Sequence, residues 1–130
     1  MADSRGFKSS AKAKGYLAED YAASYLSELG FTVLERNLKE VFGEVDVVAK
    51  KGNTFRFVEV KSGFGKRAGG SLPLEIKIDA HKIKRISNVA NFYLERKGLE
   101  EAPWSIDAVL VRLSGRGELL EIEFIENITL

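Results

Sequence analysis

An α/β fold, with one mixed sheet and helices packed against it, is predicted by three features of this sequence. Two segments carry apolar residues three or four apart and each is closed by a glycine, the pattern of amphipathic helices. Five shorter segments are rich in valine, isoleucine and phenylalanine and read as strands. Their order is helix, three strands, helix, two strands, which calls for one sheet with helices against it. With 130 residues, no internal repeat and no linker, residues 1–130 read as a single domain. Folding a chain of this size buries roughly two-thirds of its unfolded surface.

Residues 1–8 are polar and read as a loose, disordered tail. Ser9 or Ser10 is placed to cap a helix reaching Leu29, with Gly30 in the left-handed closing position. Its apolar stripe is Ala18, Tyr21, Ala22, Tyr25 and Leu29. Glu19 lies at the margin of that stripe, in line with Ala22 and Leu26, and faces either the sheet or water. Phe31 to about Leu38 forms the first strand, and Lys39–Phe42 links it to a hairpin.

That hairpin, Gly43–Ser62, is the centre of the chain. Gly52-Asn53 suits a tight reversal that needs positive φ. The implied register sets Lys51 opposite Thr54 and Val48 opposite Phe57, then Asp46 opposite Glu59 and Glu44 opposite Lys61. These four charged side chains then share one face at one end of the hairpin. Val45, Val47, Ala49, Val58 and Val60 fill the other face, while Val48, Phe55 and Phe57 continue the charged one. Strands apolar on both faces lie inside a sheet. Two acids opposed there repel each other unless something pairs with them or binds between them. Asp46, Glu59 and Lys61 are therefore candidates for chemistry; an exposed strand end with salt bridges is the plainer alternative.

Gly63–Leu74 reads as a loop rich in glycine, with Lys66 and Arg67 able to approach phosphate. Asp79 caps a second helix running to about Lys97 and closed by Gly98, with Ala80, Ile83, Ile86, Ala90, Tyr93 and Leu94 as its buried stripe. Its first turn carries His81, Lys82, Lys84 and Arg85. Cations there oppose the helix dipole, so the cluster needs another reason: a polyanion, or plain solvation. Glu100–Pro103 is a loop, Trp104 or Ser105 to Leu113 a buried strand, Ser114–Gly117 a turn, and Glu118–Ile125 a final edge strand guarded by glutamates.

Composition excludes several classes. The chain has no cysteine, so no disulfide framework, zinc-thiolate site or thiol nucleophile is possible. No apolar run approaches a membrane span and no signal-peptide pattern opens the chain, which fits a cytoplasmic protein. Net charge is only +1, but its distribution is uneven: residues 1–14 and 61–85 are basic, and residues 15–60 and 95–130 acidic. Basic segments flank the acidic hairpin, as suits a polyanion held over a cation-binding centre.

Asp46 followed after a hairpin by Glu59-Val60-Lys61 resembles the PD-(D/E)XK nuclease motif. With Ala18-Glu19, Ala22 and Tyr25-Leu26, Gly43-Glu44-Val45-Asp46, Phe57 to Lys61, and Lys82 added, the chain resembles the small bacterial YraN-type family in the restriction-endonuclease-like superfamily. The match spans about residues 15 to 110. It implies an αβββαβ core and kinship with archaeal Holliday-junction resolvases, which act as dimers. By motif match the catalytic positions are Glu19, Asp46, Glu59 and Lys61.

Three positions depart from the pattern. Val45 stands where the superfamily has proline, and Ala18 where relatives often have glycine. Ser105-Ile106-Asp107 stands where many have Arg-Phe-Asp, so any role for that arginine is absent at that position.

The resemblance implies a Mg²⁺- or Mn²⁺-dependent endonuclease acting on DNA, possible substrates being branched or single-stranded forms in recombination or repair. Asp46, Glu59, Glu19 and the Val60 carbonyl would ligate the cation. Lys61 would orient water or stabilise developing charge. Glu44 would partner Lys61 or lie exposed. Lys66, Arg67, His81, Lys82 and Arg85 are the candidate nucleic-acid contacts. The alternatives are a non-catalytic nucleic-acid-binding or protein-interaction module on the same fold, and a structural protein that dimerises through its last strand.

Overall fold

The computed structural model describes residues 11–65 and 78–129, with side chains described for 16–63, Gly65 and 78–129. The tail at residues 1–8 and the loop cations Lys66 and Arg67 fall outside the described residues. Helix α1 spans Ala11–Glu28, followed by strands β1 (Thr32–Glu40), β2 (Gly43–Lys51) and β3 (Thr54–Phe64), helix α2 (Ala80–Arg96), and strands β4 (Trp104–Leu113) and β5 (Leu119–Ile125). The five strands form one sheet in the order β1-β2-β3-β4-β5. The β3–β4 pair is parallel and the others antiparallel, so the sheet is mixed as expected. The parallel pair needs a crossover, and α2 lies within that connection.

The two helices cover opposite faces of the sheet. Ala18, Ala22 and Leu26 of α1 pack on Val47, Ala49, Val58, Val109 and Val111. Ile86, Val89, Ala90, Tyr93 and Leu94 of α2 pack on Val45, Val48, Phe55, Phe57 and Ile106. Two details of the expected stripes change. On α1, Leu29 is exposed and Leu26 is fully buried, so the line through Ala22 and Leu26 is central rather than marginal. On α2, Ala80 is exposed and Val89 takes a core place. In both cases the sheet's position selects which neighbouring row of the helix turns inward.

The expected Ser9 or Ser10 cap of α1 lies outside the described residues; the other caps follow the sequence. Asp79 accepts the Lys82 backbone N–H at 2.8 Å, and Gly30 and Gly98 adopt φ of +96° and +70°. The first strand runs longer than expected: it reaches Glu40 and turns into β2 through Val41-Phe42 alone, with Glu40 paired to Gly43.

Candidate active site

The hairpin register is as the sequence implies from Lys51↔Thr54 to Val47↔Val58, and there the β2–β3 ladder ends. Beyond it the strands part. Glu44 pairs with Lys39 of β1, while Glu59 and Lys61 pair with Ala108 and Leu110 of β4. The expected oppositions of Asp46 with Glu59 and of Glu44 with Lys61 are therefore not ladder pairs. The sheet forks at this point, and the candidate residues line the fork.

A switch of faces explains the fork. Val47 packs on the α1 side of the sheet but Val45 packs on the α2 side, against the simple alternation expected for both. The neighbouring strand switches at the same level. Arg36 meets Asp20 of α1 at 2.7 Å, Leu38 packs on the α2 side, and Asn37 between them has φ of +53°. Asp46 is at the switch point. Its Oδ2 accepts the Val60 backbone N–H at 2.8 Å, so a side chain stands where a ladder carbonyl would otherwise be.

Glu59 is buried, and its Oε2 receives the Lys82 ammonium from α2 at 2.6 Å. This contact gives the basic first turn of α2 a specific reason to exist. Burial alone would lower the Lys82 pKa. The hydrogen bond and charge of Glu59, with Asp46 and Glu44 nearby, hold it above the usual lysine value instead. Asp46 shows the opposite balance: burial, then the charge of Glu59, push its carboxyl up to about 7, against which the Val60 N–H works only in part.

Glu19 faces the sheet rather than open water. Its Oε1 is buried without a hydrogen-bond partner. Burial raises its pKa, with the Asn37 amide and Arg36 guanidinium pulling it back. Its charge is also felt at Asp46.

Asp46, Glu59 and Lys82 thus form one electrostatic group, with Glu19 at its border. Lys61 is half-buried two positions beyond Glu59 on β3, and among the described residues it forms no ion pair. Glu44 is exposed on the β2 side of the fork. His81 and Arg85 are exposed along the first turns of α2. Lys82 belongs with the acids, which refines its expected place among the outward nucleic-acid contacts.

Among the described residues, no three acidic or histidine side chains converge closely enough to enclose a metal ion. The chemistry of the donor set nevertheless suits a hard divalent cation. The acids are partly desolvated and repel one another, one carboxylate oxygen lacks a partner, and all the donors are oxygens. The Lys82 ammonium supplies the positive charge seen beside them.

A second buried acid near the fork has a different setting. Asp107, fully buried on β4, accepts from Ser105 Oγ at 2.9 Å, the Asn127 backbone N–H at 2.7 Å and Arg56 at 3.2 Å. Ser105 and Arg56 are cross-strand neighbours. A guanidinium therefore reaches Asp107 from β3, although position 105 lacks the arginine of the resembled pattern. No local pattern in the sequence singles out Arg56 for this contact, which joins β3 to β4.

A family model described as an uncharacterised protein family, UPF0102, matches residues 18–111. The chain belongs to the UPF0102 family. A UPF0102 protein of Wolinella succinogenes is 39% identical over 119 residues, covering 92% of this chain and 98% of the relative. One from Dictyoglomus turgidum is 39% identical over 113 residues, covering 87% and 93%. One from Thermotoga neapolitana is 42% identical over 98 residues, covering 75% and 86%. The matched UPF0102 span includes Glu19, the whole fork, Lys82 and Asp107. Among the described residues no helix is long and apolar enough to cross a membrane.

Proposed function

We propose that this UPF0102 protein is a metal-dependent nuclease of the PD-(D/E)XK type that hydrolyses phosphodiester bonds in DNA. The observation that carries the reading is the forked hairpin, where Asp46, with its carboxyl pushed up to about 7, meets buried Glu59 beside the Lys82 ammonium, with Lys61 two positions further along β3. An acid perturbed by burial and by a neighbouring carboxylate is a candidate functional group. Asp46, Glu59, Glu19 and the Val60 carbonyl would hold Mg²⁺ or Mn²⁺, which when bound polarises phosphate and acidifies water.

The chain's own residues supply the rest. The Val60 N–H fixes the Asp46 carboxylate by a hydrogen bond, so the acid enters the notch in one orientation. Lys61, which lacks an ion-pair partner among the described residues, is available to stabilise charge developing on a phosphoryl oxygen. Lys82 balances the Glu59 charge, and if a cation took over that role its ammonium would be free to face the nucleic acid. His81 and Arg85 on the same helix, with Lys66 and Arg67 of the glycine-rich loop, would contact flanking phosphates.

The test is incubation of linear, single-stranded and branched DNA with Mg²⁺ or Mn²⁺. Asp46→Asn and Lys61→Ala are each expected to lower cleavage by about 100-fold or more. Equal cleavage by wild type and both variants would indicate a contaminant and remove the proposal. One observation favours a second reading, a nucleic-acid-binding module without catalysis: the 2.6 Å Lys82–Glu59 pair satisfies Glu59 without any metal. Salt-dependent DNA binding with no metal-dependent turnover would select it.

A further inference from the structure

The two tight turns of the first three strands differ in chemistry. The β2–β3 turn is Gly52-Asn53, residues that a two-residue hairpin favours. The β1–β2 turn is Val41-Phe42. Neither has positive φ, since Asn37 and Asn127 are the only non-glycine residues with positive φ among those described. Turn chemistry therefore does not account for a valine and a phenylalanine at this tip, and Val41 is fully exposed.

Packing holds the tip in place. Phe42 meets Phe92 of α2 edge to face, with ring centroids 5.4 Å apart. Gly43 brings β2 so close to α2 that a Cβ would lie 3.1 Å from the Arg85 carbonyl and 3.2 Å from Val89. The turn is thus fixed against α2 while Phe42 as a residue stays 39% exposed. Between them lies a hollow of about 420 Å³, lined by Lys39, Glu40, Val41, Phe42, Gly43, Glu44, Lys82 and Arg85. Of its acids, Glu40 faces Arg96 at 3.8 Å, and Glu44 is the register neighbour of Lys39 on β1. Lys82 is the wall shared with the fork, because its ammonium also contacts Glu59.

We infer that this hollow binds one unstacked nucleotide of a single-stranded DNA segment, its base on Phe42 and its phosphate among Lys39, Lys82 and Arg85. This rests on the nuclease reading and deepens it: the strand passing the fork is held open at the neighbouring nucleotide. An exposed ring backed by a second aromatic is a stacking platform for any base, and three cations around it match one or two phosphates. A base still paired within a duplex cannot reach the ring, so the site selects single-stranded or branched DNA over continuous duplex.

The test uses fluorescence anisotropy with a labelled oligothymidylate and a blunt duplex of equal length, in EDTA so that no cleavage intervenes. Phe42→Ala is expected to weaken single-strand binding about tenfold and duplex binding by less than about twofold, while Phe42→Trp retains single-strand binding. A Phe42→Ala protein that binds both forms as wild type does, or loses both equally, overturns the inference. Mn²⁺-dependent cleavage separates the two failures. If wild type still cleaves DNA and loses it in Asp46→Asn, the nuclease reading stands without the hollow. If wild type neither binds nor cleaves any DNA, both fall.

Discussion

Asp107, fully buried, and Asp46, half-buried, are acids on neighbouring parts of one sheet, and they have opposite settings. Asp107 accepts from a hydroxyl, a backbone N–H and a guanidinium, which between them use both its oxygens. Asp46 is given one backbone N–H and then set beside another carboxylate. The difference teaches which burial serves the fold and which serves chemistry. A buried carboxylate with saturated partners anchors structure; one left short of them carries a free-energy cost that a cation or proton relieves. The Asp107 network also secures the chain beyond β5, since Ile128 donates to the Ile106 carbonyl next to it.

The largest expected effect breaks the saturated acid. Asp107→Ala leaves the Arg56 guanidinium with only Glu126 and the Ser105 hydroxyl, and strands the Asn127 N–H; it is expected to destabilise by about 2–3 kcal/mol, lowering Tm by several degrees. Thermal and urea unfolding check this; a change within error of zero would make the network ornamental.

Asp46→Asn is expected to act in the opposite direction on stability. The Asp46 carboxyl has its folded pKa raised from 3.8 to about 7, so ionisation is harder in the folded protein than in the unfolded one. Its penalty is absent below pH 4, grows as pH rises toward 7, and is complete above. The variant should therefore be more stable than wild type by roughly 2 kcal/mol at pH 8, with the gap closing near pH 4. Urea titrations at several pH values measure it, and a gap independent of pH would contradict the assigned burial.

The Lys82–Glu59 contact sharpens the comparison, because among the described residues it is the ion pair that joins α2 to the fork. Lys82 is 36% exposed, so screening limits the pair. A double-mutant cycle with Lys82→Ala and Glu59→Gln is expected to give a coupling of about 1 kcal/mol in low salt, falling as salt rises. Addition of Mn²⁺ to wild type should reduce that coupling if the cation replaces the ammonium. The smallest effect belongs to Glu19. Its Oε1 has no partner and burial raises its pKa, so Glu19→Gln is expected to be slightly more stable than wild type at neutral pH, with the gap shrinking as pH falls through the carboxylate range.

Much of this arrangement was legible in the chain itself. Periodicity, the capping Asp79 and the closing glycines Gly30 and Gly98 located both helices, because these are local effects of backbone geometry. The Gly52-Asn53 reversal specified the hairpin register through Val47↔Val58, since a tight turn leaves the strands no freedom to slip. Asp46 and Glu59 could be paired as a candidate site for that reason. Tertiary structure alone decided that the ladder stops there. β2 is held by β1 and β3 by β4, and the two partners draw the strands apart beyond Val47. It also decided that Lys82 meets Glu59, that Arg56 serves Asp107, and that Val41 and Phe42 frame a hollow with α2. Each of these contacts joins elements distant in sequence, and its geometry is set by how helices and sheet pack rather than by neighbours along the chain.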